Sequence, residues 1–122
     1  MEMKLEVVPI GVKDVDRAKA FYVDKLGFHA DIDQPLGEKR YVQLTPPGSA
    51  CSISLGVGIT KTKPGDIDGL LLVVSDIQSV YKELSNKGVD ISEPKIEAWG
   101  SIHSYLSDPD GNSWTIQQKP NR

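Results

Sequence analysis

The chain has two histidines, one cysteine and many hydroxyl side chains, and their spacing decides what chemistry is open to them. His103 and Tyr105 stand two apart in SIHSYLSD, which in a strand puts both on one face. Imidazole titrates near neutral pH, so this pair is the best candidate for acid–base work. The plainer reading of His103 is a strand histidine that is exposed or hydrogen-bonded. His29 follows Phe28 at the start of a strand and reads as exposed. No Asp or Glu has a spacing that clearly orients either histidine, and no GxSxG nucleophile elbow is present. Cys51 lies in the apolar stretch CSISLGVG and reads as a small packed hydrophobe. A lone cysteine forms no intrachain disulfide and no CxxC zinc cluster. The loop TKTKPGD lacks the GxxxxGK that cradles phosphate. DPDG lacks the remaining oxygen positions of a calcium loop and reads as a β-turn.

Composition narrows the setting. The 122 residues carry 14 basic and 17 acidic side chains, a net charge of −3, and fit one domain with one core. No dense basic run favours nucleic acid as a partner. No apolar run approaches the ~20 residues that span a bilayer. The N-terminal MEMKLEVVPIG lacks a signal-peptide core, so the expected location is the cytoplasm.

Positioning elements can be read in order. KLEVVPIG predicts a strand over 4–11. Asp14 then caps a helix in which Val15, Ala18, Tyr22 and Leu26 share a face, and Gly27 ends it. FHADIDQ, KRYVQLT and CSISLGVG read as three strands separated by PLGE and PPGSA turns. After a polar connector the order recurs. GLLLVVSD is a strand, and Ile77, Val80, Tyr81 and Leu84 mark an amphipathic helix closed by Gly88. VDISEP, SIHSYLSD and NSWTIQQ are three more strands. VKDV at 12–15 answers VSDI at 74–77, an offset of 62 residues. The result is two βαβββ modules, over 1–60 and 66–118, that share a core because halves of ~60 residues bury too little alone.

This order, with DVDRAKAFYVDKLGF in the first half and SDPDGNSWTIQ in the second, resembles the vicinal oxygen chelate superfamily. That group includes glyoxalases, extradiol dioxygenases and bleomycin resistance proteins. The resemblance implies an α+β domain of two tandem βαβββ modules, with a curved sheet around a cavity. It also implies a homodimer. Metal-dependent members hold a divalent ion with side chains on the first and last strand of each half. The matching positions here are Val7, Ser54, Gly69 and Thr115. None is a histidine or carboxylate, the donors such an ion takes in water. The resemblance therefore carries over the fold without the metal, and no cofactor is expected.

With Ser54 and Thr115 facing inward, strand alternation adds Ser52, Ser113 and Gln117, with Leu5, Val7, Pro9, Leu71 and Val73. Tyr41, Gln43 and Thr45, and their counterparts His103, Tyr105 and Ser107, form a polar and aromatic rim. The expected ligand-binding set is Val7, Tyr41, Gln43, Ser52, Ser54, Trp99, Thr115 and Gln117. The competing reading is a filled core with satisfied hydrogen bonds. Trp99, in a loop, suits ligand stacking, a subunit contact or local packing. Trp114 alternates with Thr115 and is expected in the core. Glu93, Glu97 and Asp31 or Asp33 read as solvated charges, or as an attraction for a cationic ligand. Three functions follow: a metal-free protein that binds a small planar or aromatic compound, a metal-independent isomerase or cyclase using His103 or Tyr105, and a metal-dependent glyoxalase- or dioxygenase-type enzyme. The missing donors count against the last.

Overall fold

The computed structural model describes residues 1–120. The first module comprises β1 (Val7–Pro9), α1 (Val15–Ala20), β2 (His29–Leu36), β3 (Lys39–Thr45) and β4 (Ser52–Val57). The second comprises β5 (Leu70–Val73), α2 (Ile77–Asn86), β6 (Lys95–Ile96), β7 (Ile102–Ser107) and β8 (Ser113–Gln118). The curved sheet is built in two four-stranded parts, ordered β1-β4-β3-β2 and β5-β8-β7-β6. In each, the first and last strands of the module run parallel at one edge and the remaining neighbours run antiparallel. The two halves thus repeat in topology as well as in sequence.

Both helices begin on an aspartate. The Arg17 amide donates to Asp14 Oδ1 at 3.1 Å, and the Ser79 amide to Asp76 Oδ1 at 3.2 Å. These bonds satisfy donors that a helix start leaves free. Beyond Ala20, α1 widens into a π-helical turn over Phe21–Lys25, and Gly27 at φ +76° lets the chain leave it. Val15, Ala18 and Tyr22 are buried, and so are Ile77 and Leu84 of α2.

One apolar core joins the modules. Val42, Leu44, Ile53 and Leu55 of the first sheet belong to the same buried cluster as Leu106, Trp114 and Ile116 of the second. Trp114 is in the core as expected. Its ring lies 5.8 Å from that of Tyr22 and 5.9 Å from that of Phe28, both near edge-on. Among the described residues, no helix is long and apolar enough to cross a membrane.

Two strand bounds differ from expectation. The first strand pairs only over Val7–Pro9, and Leu5 is exposed. Gly11 instead bridges to Pro64, where a Cβ would collide with the Thr62 carbonyl oxygen. VDISEP is not a continuous strand. Ile91 makes a single bridge to Leu106, and pairing resumes at Lys95–Ile96. Pro94 has no N–H to offer the ladder. The Ser92 side chain fills part of the gap, accepting from the Tyr105 amide at 2.8 Å.

Candidate functional site

Strand register places the candidate side chains on the sheet faces turned away from the core. In the first sheet Val7 pairs with Ser52, Pro9 with Ser54, Gln43 with Ser54 and Tyr41 with Gly56. Paired residues share a face, so Val7, Tyr41, Gln43, Ser52 and Ser54 are brought together. In the second sheet Leu71 and Tyr105 flank Thr115, and Val73 and His103 flank Gln117. Thr115 and Gln117 therefore share the other face with His103 and Tyr105. Of the eight expected ligand-binding residues, five lie on this face of the first sheet and two on that of the second, while Trp99 lies in the turn before β7.

A hydrogen-bond chain crosses the first face. Tyr41 Oη donates to Gln43 Oε1 at 2.9 Å, and Gln43 Nε2 reaches Ser52 Oγ at 3.4 Å. Ser52 Oγ lies 2.6 Å from Thr45 Oγ1, which donates in turn to Asp31 Oδ2. Asp31 Oδ1 is 2.7 Å from His29 Nδ1. Asp31 occupies a register shift between Ala30 and Ile32. Such a bulge re-aims a side chain, and strict alternation does not reveal it. A carboxylate does therefore orient His29. The Thr45 hydroxyl, then His29, hold the Asp31 carboxyl below its ordinary range. Asp33, also considered for a cationic ligand, is engaged elsewhere. It binds Lys19 at 2.7 Å and the Arg40 guanidinium at 2.8 and 2.9 Å, and these bonds hold it in the charged form.

The second face is more open. A cavity of about 600 Å³ lies over it, with Asp68, Asp90, Tyr105, Ser113 and Thr115 among its lining residues. Leu71 and Val73 are about half exposed, at 49% and 53%. His103 Nδ1 lies 3.4 Å from Tyr105 Oη, which lies 3.4 Å from Glu97 Oε1. Partial burial, then the Glu97 charge, raise the Tyr105 pKa. Glu97 thus orients His103 through Tyr105, a link that residue spacing concealed because Glu97 lies outside β7. Trp99 is 94% exposed at φ +67°, so its indole does not pack locally.

Val7, Ser54, Gly69 and Thr115 offer no histidine or carboxylate. Among the described residues, no group of three or more His, Cys, Asp or Glu is placed to hold a metal ion. The donor set does not fit the divalent ion that metal-dependent relatives use.

The DPDGN motif does structural work that a turn reading missed. Asn112 is fully buried. Its Oδ1 accepts from the Gly65 and Ile67 amides at 3.1 and 3.2 Å, and its Nδ2 donates to the Gly11 carbonyl at 2.9 Å. Asp108 Oδ2 accepts from Tyr22 Oη at 2.7 Å, and Tyr22 accepts from Trp114 Nε1 at 3.0 Å. Burial, followed by the Asp108 carboxylate, pushes the Tyr22 phenol far above its ordinary value. Asp110 Oδ1 receives Arg17 Nη2 and the Lys13 amide, each at 3.0 Å. These contacts strap the start of α1 to the β7–β8 turn, one module to the other.

A family model, the Glyoxalase/Bleomycin resistance protein/Dioxygenase superfamily, matches residues 4–116. The chain belongs to this superfamily. Among superfamily structures, it is similar to TnmS3, an antibiotic binding protein from Streptomyces sp. CB03234, at 32% identity and a TM-score of 0.88, with 97% of each chain covered. It is also similar to a glyoxalase/bleomycin resistance protein from the same source, at 33% identity and a TM-score of 0.83, covering 94% of this chain and 100% of the other. The uncharacterized protein YurT of Bacillus subtilis (strain 168) is 29% identical over 127 residues, covering 96% of this chain and 100% of YurT.

Proposed function

We propose that this superfamily member is a metal-free binding protein that sequesters a small planar or aromatic compound. The observation that carries the reading is the floor of the two faces: Val7, Ser54, Gly69 and Thr115 offer shape and neutral hydroxyls where metal enzymes need charged or imidazole donors. Affinity then rests on apolar area, aromatic contact and a few oriented polar groups. The likeness to an antibiotic binding protein at 32% identity supports the same direction.

The ligand-binding residues are Val7, Tyr41, Gln43, Ser52, Ser54, Trp99, Thr115 and Gln117. Since these residues are drawn from the open faces of two sheets, the working unit in this reading is a homodimer in which faces of two chains close over the ligand. Leu71 and Val73, half exposed in the single chain, support that assembly. The protein works in the cytoplasm. A second reading, a metal-independent isomerase or cyclase, rests on the His103–Tyr105–Glu97 alignment.

Thermal-shift titration with planar aromatic acids and cations tests the first reading. A raised midpoint with the compound recovered unchanged is the expected result. Conversion that disappears in His103→Ala would favour the second reading. A stoichiometric divalent cation in protein purified without chelator would overturn the metal-free account of both.

A further inference from the structure

Proton counting fixes the direction of both hydrogen-bond chains. An ionised carboxylate only accepts, and a hydroxyl has one proton to give. Thr45 gives its proton to Asp31, so the 2.6 Å contact between Thr45 and Ser52 uses the Ser52 proton. Ser52 then accepts from the Gln43 amide N–H at 3.4 Å, and Gln43 Oε1 accepts the Tyr41 proton at 2.9 Å. Every proton points toward Asp31. What remains on Tyr41 is an oxygen with lone pairs and no donor directed at it among the described residues.

The second face repeats this polarity with different residues. Glu97 accepts the Tyr105 proton, so the Tyr105 oxygen accepts from His103 Nδ1–H. His103 Nε2 is then the acceptor nitrogen, and it is buried with no partner among the described residues. The Lys95 ammonium, although its residue is the ladder partner of His103, does not reach that nitrogen. Tyr41 and His103 occupy equivalent places in the two modules, 62 residues apart. Each is the far end of a chain anchored on a carboxylate outside the central strands, one on a β2 bulge and one just after β6.

We infer that these carboxylate-anchored chains make the faces acceptors, so that the compound bound is one carrying O–H or N–H donors at its edges, such as a phenol, with Tyr41 Oη as the selecting atom. This inference rests on the proposed sequestration of a planar compound and assigns its polarity. The Tyr41 proton is committed to Gln43, so its oxygen meets a ligand only as an acceptor. A ligand offering only ether or carbonyl oxygens leaves that acceptor unused.

The matched probes 2-naphthol and 2-methoxynaphthalene have the same rings and differ in the donor. Fluorescence titration of each into the full chain reads the ratio of their affinities. The expected result is 2-naphthol binding about fivefold tighter, the effect of one neutral hydrogen bond. The ratio should fall toward one in Tyr41→Phe, while an unchanged urea midpoint of the variant reports an intact fold. Equal or reversed affinities in the wild-type chain overturn the acceptor assignment and leave sequestration standing. Failure of both probes, along with the wider planar panel, overturns sequestration and the inference with it.

Discussion

Two tyrosine–carboxylate contacts, one on each side of the same sheet, differ in what surrounds them. Tyr22 and Asp108 meet at 2.7 Å inside the core, with Trp114 and Asn112 completing their hydrogen bonds. Tyr105 and Glu97 meet at 3.4 Å on the open side, where Tyr105 is 47% exposed. The first pair is closed, because a buried polar group must be satisfied within the fold. The second is loose and half exposed, so its phenol is open to exchange partners. Similar side chains therefore serve cohesion on one face and, in the proposed site, recognition on the other.

The strongest test of that contrast is Asn112→Ala. The side chain holds two backbone amides and a carbonyl from the connector and the first module. Removing it leaves the buried Gly11 carbonyl and two part-buried amides unpaired, with an expected loss of about 2–3 kcal/mol. Urea denaturation reads the loss as a lower midpoint. A loss below about 1 kcal/mol would mean that water replaces the amide and that the strap is not what joins the modules.

The paired substitutions Tyr22→Phe and Tyr105→Phe compare the two contacts directly. Without its hydroxyl, Tyr22 leaves Trp114 Nε1 buried without an acceptor, at a cost of about 1.5–3 kcal/mol. Tyr105→Phe should change stability by no more than about 0.5 kcal/mol, as surface changes usually do. Equal losses would erase the distinction drawn here.

Trp99→Gly moves in the opposite direction. A tryptophan at φ +67° adopts the left-handed region that glycine enters freely. Relief of that strain, less the entropy glycine loses on folding, should raise stability by about 0.5–1 kcal/mol. Ligand affinity should fall at the same time. Strain retained on a residue 94% exposed fits recognition better than folding. A stabilised variant with unchanged affinity for planar probes would remove Trp99 from the site.

The sequence pattern foretold the framework well, for reasons these residues make plain. Val15, Ala18 and Tyr22 follow helical spacing because one face of α1 is buried, and Thr115 and Trp114 alternate because one face of β8 is. The 62-residue offset marked the duplication and so the equivalence of Tyr41 with His103. What stayed hidden depends on contacts distant in sequence or on broken periodicity. Asn112 looked like a turn residue because its partners at Gly11 and Gly65 are 101 and 47 positions away. Asp31 escaped notice because a bulge suspends alternation, and Glu97 because it reaches the β7 face from outside that strand. How the candidate faces of the two sheets stand to each other follows from the shared core, which no local pattern encodes.

The smallest effect concerns acid. Asp31 and Asp33 both have carboxyl groups held below their ordinary range in the fold, Asp31 chiefly by Thr45 and Asp33 chiefly by Arg40. A depressed folded-state value means the unfolded chain takes up the proton first as pH falls. Their contribution is thus complete above the unfolded value of about 4 and is lost as pH drops through the folded one. Urea midpoints compared at neutral pH and near pH 3 should show the gap between wild type and Asp31→Asn or Asp33→Asn narrowing in acid. Both groups are close to solvent, so screening keeps the effect small, and added salt should shrink the Asp33 gap more, since its partners are the charged Arg40 and Lys19. The Asp31 gap rests first on a neutral hydroxyl and should resist salt. If salt collapses both gaps equally, Asp31 is held mainly by the charge of His29, and the hydrogen-bond chain across the first face has no fixed anchor.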